Sequence, residues 1–177
     1  MRSAGVFVVA SCALVAGCSY MPWSDSSDAG ARAQAAMQPT QGHSAKGVVE
    51  FTQRGDDVAV AASLTGLAPG EHGFHIHEKG DCSAPDATSA GGHFNPTGKP
   101  HGNPGGGEHH LGDLPMLHAD ANGNARLNAT IRGASLRGGA TNLIGRAVVV
   151  HANRDDFRSQ PAGDSGARVA CGVIASK

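Results

Sequence analysis

The chain has 177 residues, a formal net charge of −1 and 26 glycines. That is room for one domain, and a glycine share about twice the usual one excludes a helical bundle or coiled coil, because each interior glycine costs a helix about 1 kcal/mol. The near-neutral balance offers no basic stripe for a nucleic acid, which leaves the ten histidines as the feature that points to chemistry.

Arg2 precedes an apolar run from Val6 to Val15, interrupted by Ser11. The run is too short to span a bilayer and reads as an export signal over residues 1–17. Val15-Ala16-Gly17-Cys18 resembles the bacterial lipoprotein signal. That resemblance implies lipid on Cys18 and, with Ser19 rather than an Asp behind it, an anchor to the outer membrane facing the periplasm. Residues 18–41 show no sustained period and read as a flexible tether, so the domain is expected over 42–177. The only Tyr and Trp, Tyr20 and Trp23, fall in the tether. The aromatic core is therefore expected from Phe51, Phe74, Phe94 and Phe157. With Cys12 in the signal and Cys18 lipidated, Cys82 and Cys171 are left, and an oxidising compartment predicts a disulfide between them.

The domain reads as short strands and long glycine-rich loops. Val58, Val60, Ala62 and Leu64 alternate on one face, as do Leu127, Ala129 and Ile131, the period of a half-buried strand. Val48–Phe51, Ala147–Val150 and Arg168–Ala170 add further strands. Arg54-Gly55-Asp56-Asp57 and Asp120-Ala121-Asn122-Gly123 are turn clusters between them. No helical period appears, so an antiparallel sandwich or barrel is expected. Residues 78–113 hold many Gly, Pro and His with no alternation. A loop of that length carries function or is disordered, and its histidines favour function.

His75-Ile76-His77 sets two imidazoles about 6.6 Å apart on one side of a strand, close enough to converge on one ion. His93, His101, His110 and Asp113 follow in the loop and make a closed set suited to zinc. His151 ends a strand, at a rim from which it can reach His75 and His77. His43 and His118 read as surface residues and His72 as a structural hydrogen-bonding histidine. His109 is set aside because its neighbour His110 has the better spacing.

The blocks Gly73–Glu78, Gly91–Pro96, His101-Gly102, His110–Leu114, Gly145–His151 and Arg168–Ile174, in this order over about residues 44–177, resemble copper/zinc superoxide dismutase, in its bacterial exported branch. The resemblance implies a Greek-key β-sandwich, a flattened eight-stranded barrel, with one copper and one zinc per subunit. It assigns copper to His75, His77, His93 and His151, and zinc to His93, His101, His110 and Asp113. His93 would then bridge both ions and carry a proton. Asp155 matches the family's Asp that joins a copper His to a zinc His, and Cys82 and Cys171 match its disulfide. Arg168 matches the Arg that draws the superoxide anion to the copper. Implied with it are dismutation of superoxide to O₂ and H₂O₂, defence of the cell envelope, and membrane contact only through Cys18.

The chain also departs from eukaryotic members. Its segment between His151 and Cys171 is shorter, Ala162 stands where they carry a channel Thr, and Lys99 and Arg158 are the candidate helpers of Arg168. The strands carry no pattern that separates a monomer from a homodimer. A copper carrier without turnover would need neither a bridging His nor a channel Arg. A zinc hydrolase would need an open coordination position and a general base, and no HExxH or comparable motif is present.

Overall fold

The computed structural model describes Met1 and residues 30–177; the signal, Cys18 and the tether up to residue 29 lie outside the described residues. Nine strands follow in order: β1 (Arg32–Pro39), β2 (Lys46–Arg54), β3 (Asp57–Thr65), β4 (Gly70–His72), β5 (Phe74–His77), β6 (Leu117–Ala119), β7 (Ala125–Arg132), β8 (Ala147–His151) and β9 (Arg168–Ser176). All pair antiparallel, in the spatial order β4-β6-β7-β3-β2-β1-β9-β8-β5. The two end strands, β4 and β5, are separated in the chain by Gly73 alone. The sheet therefore curls into a nearly closed Greek-key barrel. Among the described residues the one helical feature is a 3₁₀ turn at Thr88–Ala90.

Among the described residues the strands number nine rather than the expected eight, because residues 70–77 split between two partners. β4 pairs with β6, and β5 pairs with β8. Gly73 makes the switch: its N–H donates to Asn153 O at 2.8 Å, and a Cβ there would lie 2.6 Å from Ser165 Oγ.

The tether ends earlier than residue 41. Residues 32–39 form β1, which sits inside the sheet between β2 and β9. Its buried face is Ala33, Ala35 and Met37. Ala36 on the exposed face matches the alanines of the buried one and breaks the polar alternation of Gln34 and Gln38, so the period-2 pattern is blurred. In β3 the pattern is plain: Val58, Val60, Ala62 and Leu64 all face the core. Phe51, Phe74 and Phe94 are buried in that core. Phe157 is not; it stands half-buried in the 152–167 loop at φ 57°.

β8 is buried along its whole length. Val148 and Val150 face the barrel core. Ala147 and Val149 face a smaller cluster with Ala87, Ala90 and Cys171 under the long loop. Burial on both faces is why this strand reads as a continuous apolar run rather than an alternation. Cys82 and Cys171 form a disulfide across 89 residues of sequence, pinning the loop to β9 over that second cluster.

The placement of β1 yields a direct expectation. A chain starting at residue 42 strips β2 and β9 of the partner between them, opening the sheet there, and should lose its cooperative thermal unfolding by circular dichroism, whereas one starting at residue 30 should keep it. Met37→Ala, which empties a fully buried site, should cost about 2–5 kcal/mol in urea unfolding. Equal stability of all three chains would contradict the placement.

Candidate metal centre

β5 presents Phe74 and Ile76 to the core and, by strand alternation, His75 and His77 to the other side. Its free edge is covered by the loop between β5 and β6. Ile76 donates to Gly112 O at 2.8 Å and accepts from the Phe94 N–H at 2.8 Å, while Gly112 donates to Phe94 O at 2.9 Å. This clamp holds His93 and Asp113 against the strand, as bridge partners of His77 and His75. A Cβ on Gly112 would lie 2.2 Å from Ile76 O, so only glycine fits there. β8, paired to β5, ends at His151 on the same side.

Two groups result. His75, His77, His93 and His151 offer nitrogens that all lie within 4.8 Å of one another, as do the ligand atoms of His93, His101, His110 and Asp113. His93 belongs to both. All seven side chains are buried.

The hydrogen bonds fix which atom of each ring faces inward. His77 Nδ1 donates to Gly91 O at 2.9 Å and His151 Nδ1 to Gly166 O at 3.2 Å. Their Nε2 atoms then both present lone pairs, and these face each other at 3.4 Å. Two lone pairs at that distance repel unless a cation lies between them. His75 Nε2 and His101 Nε2 are taken by Asp155, at 2.7 and 3.0 Å. Among the described residues, the buried His75 Nδ1 and His93 Nε2 have no hydrogen-bond partner, and His101 Nδ1 has only the Asp113 carboxylate of its own group, 3.0 Å away. Buried polar atoms are normally satisfied. Here the orphans point at the centres of the two groups, and the donor chemistry fits copper in the all-histidine set and zinc in the His₃Asp set.

The electrostatics agree. Burial lowers His75 to about 4 and His151 to about 3, and holds His77 well below its ordinary value of 6.5. These rings stay neutral, as metal ligands must. Burial likewise lowers His110. Burial alone would raise Asp113 and Asp155, but hydrogen bonds from the histidines and from backbone N–H groups hold both far below the usual carboxylate range. His101 goes the other way: burial opposes its charge, yet the carboxylates of Asp113 and Asp155 outweigh that and raise it to about 9. Without metal, a proton on His101 stands in for the cation.

Arg168 begins β9 at the rim. Its guanidinium donates to Ala87 O at 2.6 Å and Gly91 O at 2.7 Å. Gly91 O thus accepts from both Arg168 and His77, which fixes the guanidinium relative to that histidine. Gly91 has φ 75°, and a Cβ would lie 2.4 Å from Glu78 Oε1. Two depressions flank the rim. One is lined by Thr40, His43, Asp86, Thr88, Gly166 and Arg168, the other by His151, Gln160, Ala162, Asp164 and Ser165 among others. Lys99 and Arg158 line neither; the charged side chains beside Arg168 and His151 are instead the carboxylates Asp86 and Asp164. His43 and His118 are exposed and His109 half-exposed. His72 is buried between His151 O and Ala68 O, both at 2.8 Å. Sequence reasoning missed the carbonyls of Ala87, Gly91 and Gly166, since a backbone acceptor leaves no side-chain signal.

Residues 45–174 match the family model described as copper/zinc superoxide dismutase. The chain is 42 % identical over 135 residues to a Cu-Zn superoxide dismutase 2 of Aquifex aeolicus (strain VF5), covering 72 % of this chain and 78 % of that protein. It is 40 % identical over 149 residues to an extracellular Cu-Zn superoxide dismutase of Caenorhabditis elegans, covering 81 % of this chain and 65 % of that one. A crystal structure titled as that of the clock protein EA4 superposes with a TM-score of 0.74 at 41 % identity, covering 83 % of this chain and 95 % of that chain.

His101 gives a pH test. Its folded value, about 9, lies above its ordinary 6.5. Its contribution to the stability of the metal-free protein is therefore full below pH 6.5 and fades as pH rises through about 9. Tm of the metal-free protein should fall across that window. Zinc uptake at pH 7 should release about one proton, read by calorimetry in buffers of different ionisation enthalpy. A flat Tm and no proton release would contradict the assignment.

Proposed function

The chain belongs to the copper/zinc superoxide dismutase family, and from that membership we propose how its own residues carry out the dismutation of superoxide to O₂ and H₂O₂. The observation that carries the reading is that, among the described residues, His93 alone belongs to both buried groups. Copper would be held by His75 Nδ1 and by the Nε2 atoms of His77, His93 and His151. Zinc would be held by Nδ1 of His93, His101 and His110 and by Asp113. Copper, when bound, supplies the one-electron couple that zinc lacks.

The protein does the rest. Arg168 binds the incoming anion with the guanidinium edge left free by Ala87 O and Gly91 O, and its charge raises the encounter rate. His93 holds a proton at Nε2 between the two electron transfers. That atom is buried with no hydrogen-bond partner among the described residues, so the proton passes to the reduced substrate rather than to a neighbouring side chain. Asp155 orients His75 and His101 together and ties one group to the other. Such partners fix ring orientation and ligand basicity.

The place of action is part of the proposal. The apolar run Val6–Val15 and Cys18 support export and a lipid anchor to the outer membrane, facing the periplasm. The Cys82–Cys171 disulfide suits an oxidising compartment. There the enzyme would protect the cell envelope from superoxide.

Arg168→Ala should lower kcat/KM for superoxide by roughly tenfold or more, read by stopped-flow absorbance of superoxide decay. Arg168→Lys should fall between, because a single ammonium cannot hold both carbonyls and still face the substrate. Cys18→Ser should move the protein from the membrane to the soluble fraction. An unchanged rate in Arg168→Ala would contradict the steering role, and an unchanged fraction in Cys18→Ser the anchor.

A further inference from the structure

Gln160 lies in the 152–167 loop between β8 and β9. Its side-chain Oε1 accepts from the backbone N–H of His101 at 2.9 Å, and its Nε2 donates to His101 O at 2.9 Å. One carboxamide therefore pairs both main-chain groups of a zinc-set residue 59 positions away, as a neighbouring strand would. The loop that carries Gln160 contributes no member of the zinc set. It does contribute Asp155, which accepts from the His101 ring, and on the other side Gly166 O, which takes His151 Nδ1, and the wall residues Ala162, Asp164 and Ser165 beside His151.

The loop is tied within itself. Gly163 donates to Ser159 O at 2.7 Å and Asp156 to Gly163 O at 2.9 Å. Ser165 Oγ donates to Ala162 O at 3.0 Å, and Asn153 donates to Ser165 O at 2.9 Å. These bonds join the residues on either side of Gln160 to Ser165, the neighbour of Gly166. Asp155 makes a separate link, through the ring of His101 to His75. The two links end on different histidines of the copper set.

We propose that Gln160 is a positioning residue that couples the zinc group to the wall of the copper site. When metal fixes His101, the carboxamide holds the loop at the depth where Gly166 orients His151. When His101 is free, that hold loosens. Glutamine suits the post because it both donates and accepts; Glu at this position could accept from the His101 N–H but not donate to its carbonyl. The inference rests on the metal assignments above.

The test compares Gln160→Ala and Gln160→Glu with the parent, each loaded with copper and either loaded with or depleted of zinc. Zinc affinity is measured against a chelating dye, and azide binding to Cu(II) by absorption. Loss of two hydrogen bonds of ordinary strength should weaken zinc binding by roughly three- to tenfold in Gln160→Ala, less in Gln160→Glu. The zinc-loaded Gln160→Ala protein should bind azide more like the zinc-depleted parent. Unchanged zinc affinity would overturn the proposal. So would a lowered Tm with the parent's zinc dependence of azide binding intact, since that marks a merely structural residue. If the parent fails to consume superoxide, the functional reading fails, while the zinc and azide pattern still decides the role of Gln160.

Discussion

One imidazole has to serve two buried groups at once, and the rest of the structure is arranged around that demand. His93 sits within reach of six other ligand residues, so its ring can be placed in only one way. Each neighbouring ring must then turn one chosen nitrogen inward. Carbonyls of Gly91 and Gly166 and the carboxylate of Asp155 enforce that choice by occupying the other nitrogen. The result is a concentration of lone pairs, facing each other at 3.4 Å in the case of His77 and His151, that is unstable without cations. A site that is poor as a metal-free core is, for the same reason, a strong site for two dications.

The barrel supplies what this demand needs. β5 hands two histidines to the outside while its alternate residues anchor in the core. β8, buried on both faces, ends at His151. The loop between β5 and β6 is too polar and glycine-rich to pack by itself, and it is held by other means: the backbone clamp at Ile76, the disulfide to β9 and the metal groups. Those attachments also set the rim, because the loop that the disulfide secures provides the two carbonyls that hold Arg168. The staples that hold the loop and the parts that set the rim are thus the same elements, which suits a domain with a thin apolar core.

Much of this was legible in the sequence because it is written in side chains. The spacing of His75 and His77, the loop histidines with Asp113, and the order of the motif blocks identify the two groups. Strands with strong contrast, such as residues 58–64, show themselves by alternation. β1 did not, because the exposed Ala36 matches the buried Ala33 and Ala35 and interrupts the alternation. The division of residues 70–77 at Gly73 is set by partners distant in sequence, which no local pattern encodes. Backbone acceptors were invisible for a like reason, although Gly91 and Gly112 mark where main chain approaches closely. Charge alone does not tell where a loop residue lies: Lys99 and Arg158 line neither depression beside the rim, where Asp86 and Asp164 stand.

The central claim is that a shared His93 makes one centre of two groups. The most direct measurement is superoxide consumption by stopped-flow absorbance, together with bound copper and zinc by elemental analysis, in the parent chain and in His93→Ala. The account predicts rapid consumption by the parent only when copper is bound, and loss of that rate in His93→Ala with weakened retention of both metals. Retention of both metals and the parent's rate in His93→Ala, or full metal binding by the parent with no consumption of superoxide, would contradict it.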